Sequence, residues 1–416
     1  MMDNTFIKPF ASNQLLAGGN FLYRKWDQRK TLTVFFMVIC IMALGQRTIS
    51  MKTIIDSSLA TNPSVMESNA YTQQQQYLLR SSINLPPPEL LVQNPTGKFY
   101  TVGVQQVFEF PTVYSTQRKI QKENIKLSQA AQKLTRSDIK YQLSILYNEL
   151  QYQYQLLNLW QQQDSFYNTI STNAGREFKA GSIDFIQQSF AKTQSGQIKA
   201  NLLMASANYY STLQNLKSIS GIQTDFVPDP QSTTENMNPV DTGINDNINL
   251  LFARQQLSIN EKKLQLEKHK TLPGFTIAYL NQGEKNTVFE NRFYAGLRIP
   301  LWFWQYKGNI SAARSVVEAS QYNSEAQVLK INMEIQSTYL KHLAYKETLL
   351  LYKSDILPQA MELTNASKRF YTSGNTSYID YLRNLNEANN IQKNYWETLK
   401  NYNQSIIYMQ YLSGKL

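Results

Sequence analysis

The sequence predicts a mainly α protein with a small β part, in which one module of long coiled-coil helices plus a β-hairpin is used twice. Three observations predict it. The stretch from Thr172 to Gly221 is said again from Thr364 to Gly414: Thr172-Asn173-Ala174 answers Thr364-Asn365-Ala366 at 192 positions, and Gly181 and Ser220-Gly221 answer Gly374 and Ser413-Gly414 at 193. Each copy holds a Gly-poor, Pro-poor tract, from Ser115 to about Lys179 and from Asn309 to about Thr372. Each tract is preceded by a pair of short runs with the period of two that marks strands.

The repeat extends upstream, where Gly103 answers Gly296 at 193 positions, while Asn62 and Pro88 answer Asn247 and Pro273 at 185. A difference of this kind between copies belongs in a loop. The period is far above the roughly 20 to 50 residues of a solenoid unit, so the chain is one duplicated module.

The 416 residues carry 41 Lys+Arg against 30 Asp+Glu, with 42% hydrophobic content. That is ample for a folded core and too polar for a multi-helix membrane protein. The segments KIQKENIK and EKKLQLEKHK interleave both signs, whereas a nucleic-acid surface gathers its cations on one face. No nucleic-acid partner is expected.

Residues 1–45 form a leader and signal peptide: Arg24-Lys25 and Arg29-Lys30, then the apolar run TLTVFFMVICIMALG, closed by Ala43-Leu44-Gly45. A transmembrane helix needs about 20 apolar residues, so the run is expected to be cleaved. Cys40, the only cysteine, lies inside it, leaving no thiol after cleavage. Val38-Ile39 precede that cysteine in place of small residues, so a lipid anchor is not expected.

The first repeat, 46–225, opens with a helix expected from Ile49 to about Ile83, with Thr61-Asn62 ahead of Pro63 as an N-cap and Pro86-Pro87-Pro88 as the stop. Strands are expected at Leu90–Gln93 and Phe99–Phe110, the second with Tyr100, Val102 and Val104 on one face. In the second repeat, 247–416, Phe275, Ile277 and Tyr279 alternate with small or polar residues, as do Phe293, Ala295, Leu297 and Ile299, around a loop from Asn281 to Asn291. The residues between the repeats, 226–246, read as a polar, Pro-rich linker.

A tract of some 60 helical residues spans about 90 Å. Ile139, Leu143, Leu146, Leu150, Tyr154 and Leu157, like Ile335, Tyr339 and Leu343, recur every three or four positions as a bundle seam. After each glycine turn a second helix returns, with Ile198, Leu202, Ala205, Tyr209, Leu213 and Leu216 as its buried stripe. Pro358 is expected to bend the second tract.

Two isolated hairpins leave edges unpaired and apolar faces uncovered within one chain. An exported protein with such strands fits an outer-membrane barrel shared by several chains, with Trp302, Phe303 and Trp304 as membrane-interface aromatics. On spacing alone, a cap of aromatics on a helical bundle fits equally well.

The order of elements, the duplication and the turn signatures resemble the TolC-type outer-membrane efflux channel family across the mature chain. The residues that carry the resemblance are Asn62-Pro63, Pro88 and Pro273, Ile356-Leu357-Pro358-Gln359-Ala360, the Phe178/Gly181 and Phe370/Gly374 turns, and Leu412-Ser413-Gly414. The resemblance implies a homotrimer whose twelve strands form one barrel in outer-membrane lipid, joined to an α-helical periplasmic tunnel. It implies that Phe178, Gly181, Phe370 and Gly374 mark the tips where a periplasmic adaptor protein docks and links the channel to an inner-membrane pump. It further implies a pore constriction six and nine positions beyond the second glycine, at Asp380 and Arg383; the second position is acidic in the family and a cation here.

The function expected is a passive duct. The competing reading is an exported coiled-coil stalk or adhesin without transport, which explains the helices and leaves the hairpins unexplained. An enzyme has little support: His269 and His342, the only histidines, lie on charged helix faces and are expected to be solvated, and no phosphate loop, nucleophile motif, metal-ligand spacing or cofactor fingerprint appears.

Overall fold

The structure, a computed structural model, describes residues 48–94, 97, 100–229, 244–281, 288 and 292–416. The expected signal peptide, most of the loop after Asn281 and the middle of the linker lie outside the described residues. In chain order the elements are β1 (Thr48–Ile49), α1 (Met51–Thr61), α2 (Pro63–Leu78), β2 (Glu89–Gln93), β3 (Thr101–Phe108), α3 (Pro111–Lys179) and α4 (Phe185–Ser220). Then come β4 (Val227–Pro228), α5 (Ile248–His269), β5 (Gly274–Asn281), β6 (Phe293–Arg298), α6 (Phe303–Leu351), a π turn (Tyr352–Ile356), α7 (Leu357–Thr372) and α8 (Tyr378–Leu412).

The 69 residues of α3 span about 100 Å. Pro111 starts it, supplying a preset φ where no N–H partner is needed. Arg176 and Lys179 close it, cations set against the last carbonyls. Leu143 and Leu150 of its seam are fully buried against Ile54 of α1 and Leu213 and Leu216 of α4, each burial contributing about 2 kcal/mol. A second cluster around Tyr167, Ala174, Ala191 and Leu382 packs α3 against α4 and α8, and a third joins Leu250, Ile331, Ile335 and Leu412.

Several expectations are corrected. The first helix is two, broken at Asn62, whose side chain accepts from Ser64 N–H and so starts α2 afresh; α2 ends at Leu78, five residues short of Ile83. At Pro358 the finding is a π turn, in which Leu357 N–H reaches back to Tyr352 C=O and so accommodates a proline that has no donor. Tyr339 and Leu343 of the second seam are exposed in the single chain. The start of the linker is docked, with Phe226 and Val227 buried and Val227-Pro228 pairing in parallel with Thr48-Ile49.

The hairpins are not isolated either. β3 pairs with β5 from Val102↔Asn281 to Phe108↔Phe275, giving one antiparallel sheet in the order β2-β3-β5-β6. Among the described residues, β2 and β6 are the edge strands of this sheet. With a side-chain period of two, the register puts Val102, Val104, Ile277 and Leu297 on one exposed face. Thr101, Gly103, Ala278, Gly296 and Arg298 take the other face.

Candidate functional site

At the end far from the sheet, α3 reverses into α4 and α7 into α8 through turns of matching geometry. In the first, Gly181 N–H donates to Phe178 C=O and Ser182 N–H to Glu177 C=O; in the second, Gly374 N–H donates to Tyr371 C=O and Asn375 N–H to Phe370 C=O. Both glycines sit at φ 74°, where a Cβ would be strained. A Cβ at either would meet open space. The turns are therefore bare of cover. Phe178 and Phe370 beside them are exposed, and Phe178 meets the exposed Phe185 edge-on with centroids 6.3 Å apart.

The helices that leave the turns are capped by side chains. Asp184 accepts from Gln187 N–H while the Gln187 side chain accepts from Asp184 N–H; Ser377 Oγ accepts from Asp380 N–H at 3.1 Å. Ser377 also bonds the Asp380 carboxylate at 2.6 Å, placing an anion at the positive end of α8. Arg383 Nη1 lies 3.4 Å from Asp380 Oδ1, with the two side chains 71% and 52% exposed. Asp380 and Arg383 thus form an open, paired ledge one turn past the second tip.

Beside the ledge, α8 is held to α3 and to α7 by tyrosines that the sequence reading did not single out. Tyr378 Oη donates to Ile170 C=O at 3.3 Å, and Tyr371 stacks on Tyr381 with centroids 4.9 Å apart and planes at 4°. Burial raises the phenols of Tyr371, Tyr378 and Tyr381, and the Glu177 carboxylate adds to this at Tyr371 and Tyr378. All three stay neutral as hydrogen-bonding groups. Their spacing in sequence is visible, but nothing local says which neighbouring helix each one meets.

Trp302, Phe303 and Trp304 lie at the opposite end, where β6 gives way to α6, all exposed and mutually packed with centroids 5.2 and 5.6 Å apart. His342 corrects an expectation: it is 5% exposed, with Nδ1 3.0 Å from Ser405 Oγ. His269 likewise has a partner, with Nδ1 2.8 Å from Thr116 Oγ1. Among the described residues no group of three or more His, Cys, Asp or Glu side chains is placed to hold a metal ion.

No protein-family profile and no curated sequence matches the chain. Solved structures do. CusC, which forms a transmembrane channel, superposes with a TM-score of 0.74 at 12% identity over 88% of this chain and 92% of CusC. The Campylobacter jejuni CmeC outer membrane channel gives 0.72 at 14% identity over 88% and 85%, and the open Neisseria gonorrhoeae MtrE outer membrane channel 0.69 at 13% over 88% and 89%. The chain has the TolC-type outer-membrane channel fold.

Proposed function

We propose that the protein is the outer-membrane channel subunit of a tripartite efflux or secretion system, a passive trimeric duct carrying substrate from an inner-membrane pump across the periplasm and outer membrane. One observation carries this reading. The four-stranded sheet ends in two unpaired edges, β2 and β6, that run in opposite directions, so β2 of one copy continues the antiparallel order beside β6 of the next. Closure removes the edges, and three copies, the number the family resemblance implies, give an even-stranded barrel with its apolar face toward lipid. Trp302, Phe303 and Trp304 then lie at the membrane interface on the periplasmic side.

The turns at Gly181 and Gly374, with Phe178 and Phe370 beside them, are the adaptor contacts, because they are exposed and unencumbered. Asp380 and Arg383 form the constriction. Three carboxylates and three guanidiniums around one axis pair with each other and hold the entrance shut, so the ring acts as a lock. Substrate choice falls to the pump and adaptor, and their neighbouring genes indicate which class is exported.

The test is fractionation of the full chain after expression with its leader. The mature protein is expected in the outer membrane, beginning at Gln46, migrating as a heat-modifiable trimer and conducting in a planar bilayer. A soluble or monomeric product that conducts nothing would favour the stalk reading.

A further inference from the structure

We propose that a groove on the outer face, where the sheet meets α3, is a binding site for one phospholipid of the membrane's periplasmic leaflet, with the headgroup phosphate on Arg118. The proposal rests on the outer-membrane reading above. The groove has a volume of about 440 Å³; its lining includes Ile83 and Leu85 from the α2–β2 connection, Phe108 at the end of β3, Phe275 on β5, and Tyr114 and Arg118 on α3. That volume falls in the range of ligand pockets, about 300 to 1,000 Å³.

Two features select a phospholipid over a soluble anion or a peptide. The first is continuity. Phe108 and Phe275, with centroids 6.3 Å apart, belong to the same sheet face as Val102, Val104 and Ile277; Gln106 interrupts that face on β3, donating to Pro86 C=O, but along β5 the groove floor runs from Phe275 through Ile277 to Tyr279 into the apolar band proposed to face lipid. An acyl chain can lie along both. The second is a single cation set back from that band. Arg118 is seven residues into α3, about 10 Å along the axis from Pro111, comparable to the depth of one headgroup layer, about 5 to 8 Å.

The polar groups of the groove leave that cation available. Glu109 also lines the groove, but its carboxylate lies 2.5 Å from Arg298 Nη2 and is neutralised there. Tyr114 Oη accepts from Glu109 N–H at 2.8 Å, so its own proton is free to donate. Among the described residues Arg118 has no ion pair or hydrogen bond. A phosphate diester accepts from both groups in a charge-assisted arrangement, while Leu85 and the phenylalanines cover its chains.

The experiment uses the full-length trimer in nanodiscs containing phosphatidylglycerol, released into detergent and weighed by native mass spectrometry. The expected result is one retained phosphatidylglycerol per chain. Arg118→Glu is expected to cut retention about tenfold, Leu85→Gln to lower it as well, and Arg118→Lys and Lys119→Glu to leave it near wild type. Retention equal in wild type and Arg118→Glu overturns the proposal, as does displacement of the lipid by millimolar inorganic phosphate, which would make this an anion site without chain recognition. A conducting trimer that retains no lipid overturns this site alone, whereas a chain that neither reaches the outer membrane nor conducts overturns the channel reading with it.

Discussion

Asn62 and Asn247, equivalent positions of the two repeats, each cap a helix and donate to the equivalent carbonyl of the helix that ends their repeat. Asn62 Oδ1 accepts from Ser64 N–H at 2.9 Å while Nδ2 donates to Ile219 C=O at 3.3 Å; Asn247 Oδ1 accepts from Leu250 N–H at 3.0 Å while Nδ2 donates to Leu412 C=O at 2.7 Å. Each side chain starts one helix and ties it to the last turn of the helix that ends its repeat.

The two sites differ in burial, and that predicts different costs. Asn247 is 1% exposed, so Asn247→Ala strands a buried carbonyl and an N–H and is expected to cost about 2 to 3 kcal/mol. Asn62→Ala, at a half-exposed position with a longer bond, is expected to cost about 1 kcal/mol. Urea denaturation of the two variants checks the order, and equal losses would mean that burial does not set the cost. Asp at either position keeps the cap and removes only the donor.

The imidazole of His342 lies flat on Tyr402, centroids 4.9 Å apart, and burial, then the nearby Lys346 charge, lowers its pKa. The folded chain therefore binds this proton less readily than the unfolded chain does. Stability from this group is complete well above the unfolded value of about 6.5 and is lost as pH falls through it, because the unfolded state takes up the proton first. The melting temperature is expected to drop on acidification, and His342→Gln to flatten that slope. An unchanged slope in the variant assigns the acid sensitivity elsewhere.

Gly374 separates backbone strain from steric bulk. Gly374→Ala and Gly374→Leu carry a similar left-handed penalty of about 1 to 2 kcal/mol, but only leucine fills the open space above the turn. If an adaptor docks there, the alanine variant exports and the leucine variant does not, with trimer and barrel intact in both. Full export through the Gly374→Leu channel would end the docking proposal for this tip.

The exposed Asp380–Arg383 pair contributes at most about 0.5 kcal/mol to folding, so substitutions there report on conduction with little effect on stability. Arg383→Ala is expected to raise single-channel conductance and to introduce block by divalent cations at the bared carboxylates. If Arg383→Ala and Asp380→Ala both conduct as wild type does, the ledge does not line the pore.

The class of the protein was legible in one dimension because its signals are local or periodic. Proline and asparagine punctuate the helices, alternation marks the strands, positive-φ glycines mark the turns, and the duplication repeats each signal in register, so the module and its two tips follow from spacing alone. The turn glycines Gly181 and Gly374 stand out for the same reason, whereas Asp380 and Arg383 were singled out only by the family resemblance and not by any local pattern. What tertiary structure alone decided is which distant faces meet. The β3–β5 pairing joins the hairpins across 167 to 179 residues, from Phe108↔Phe275 to Val102↔Asn281, and no local pattern encodes it. Tyr147 Oη donates to Ile49 C=O at 2.8 Å and accepts from Asp229 N–H at 2.9 Å, clasping the start of the first repeat to the start of the linker. His342 looked solvated among charges because helical spacing gives the angle between neighbours but not which face a partner helix covers. Burial is a property of the packed pair, and α8 covers that face of α6 with Tyr402 and Ser405.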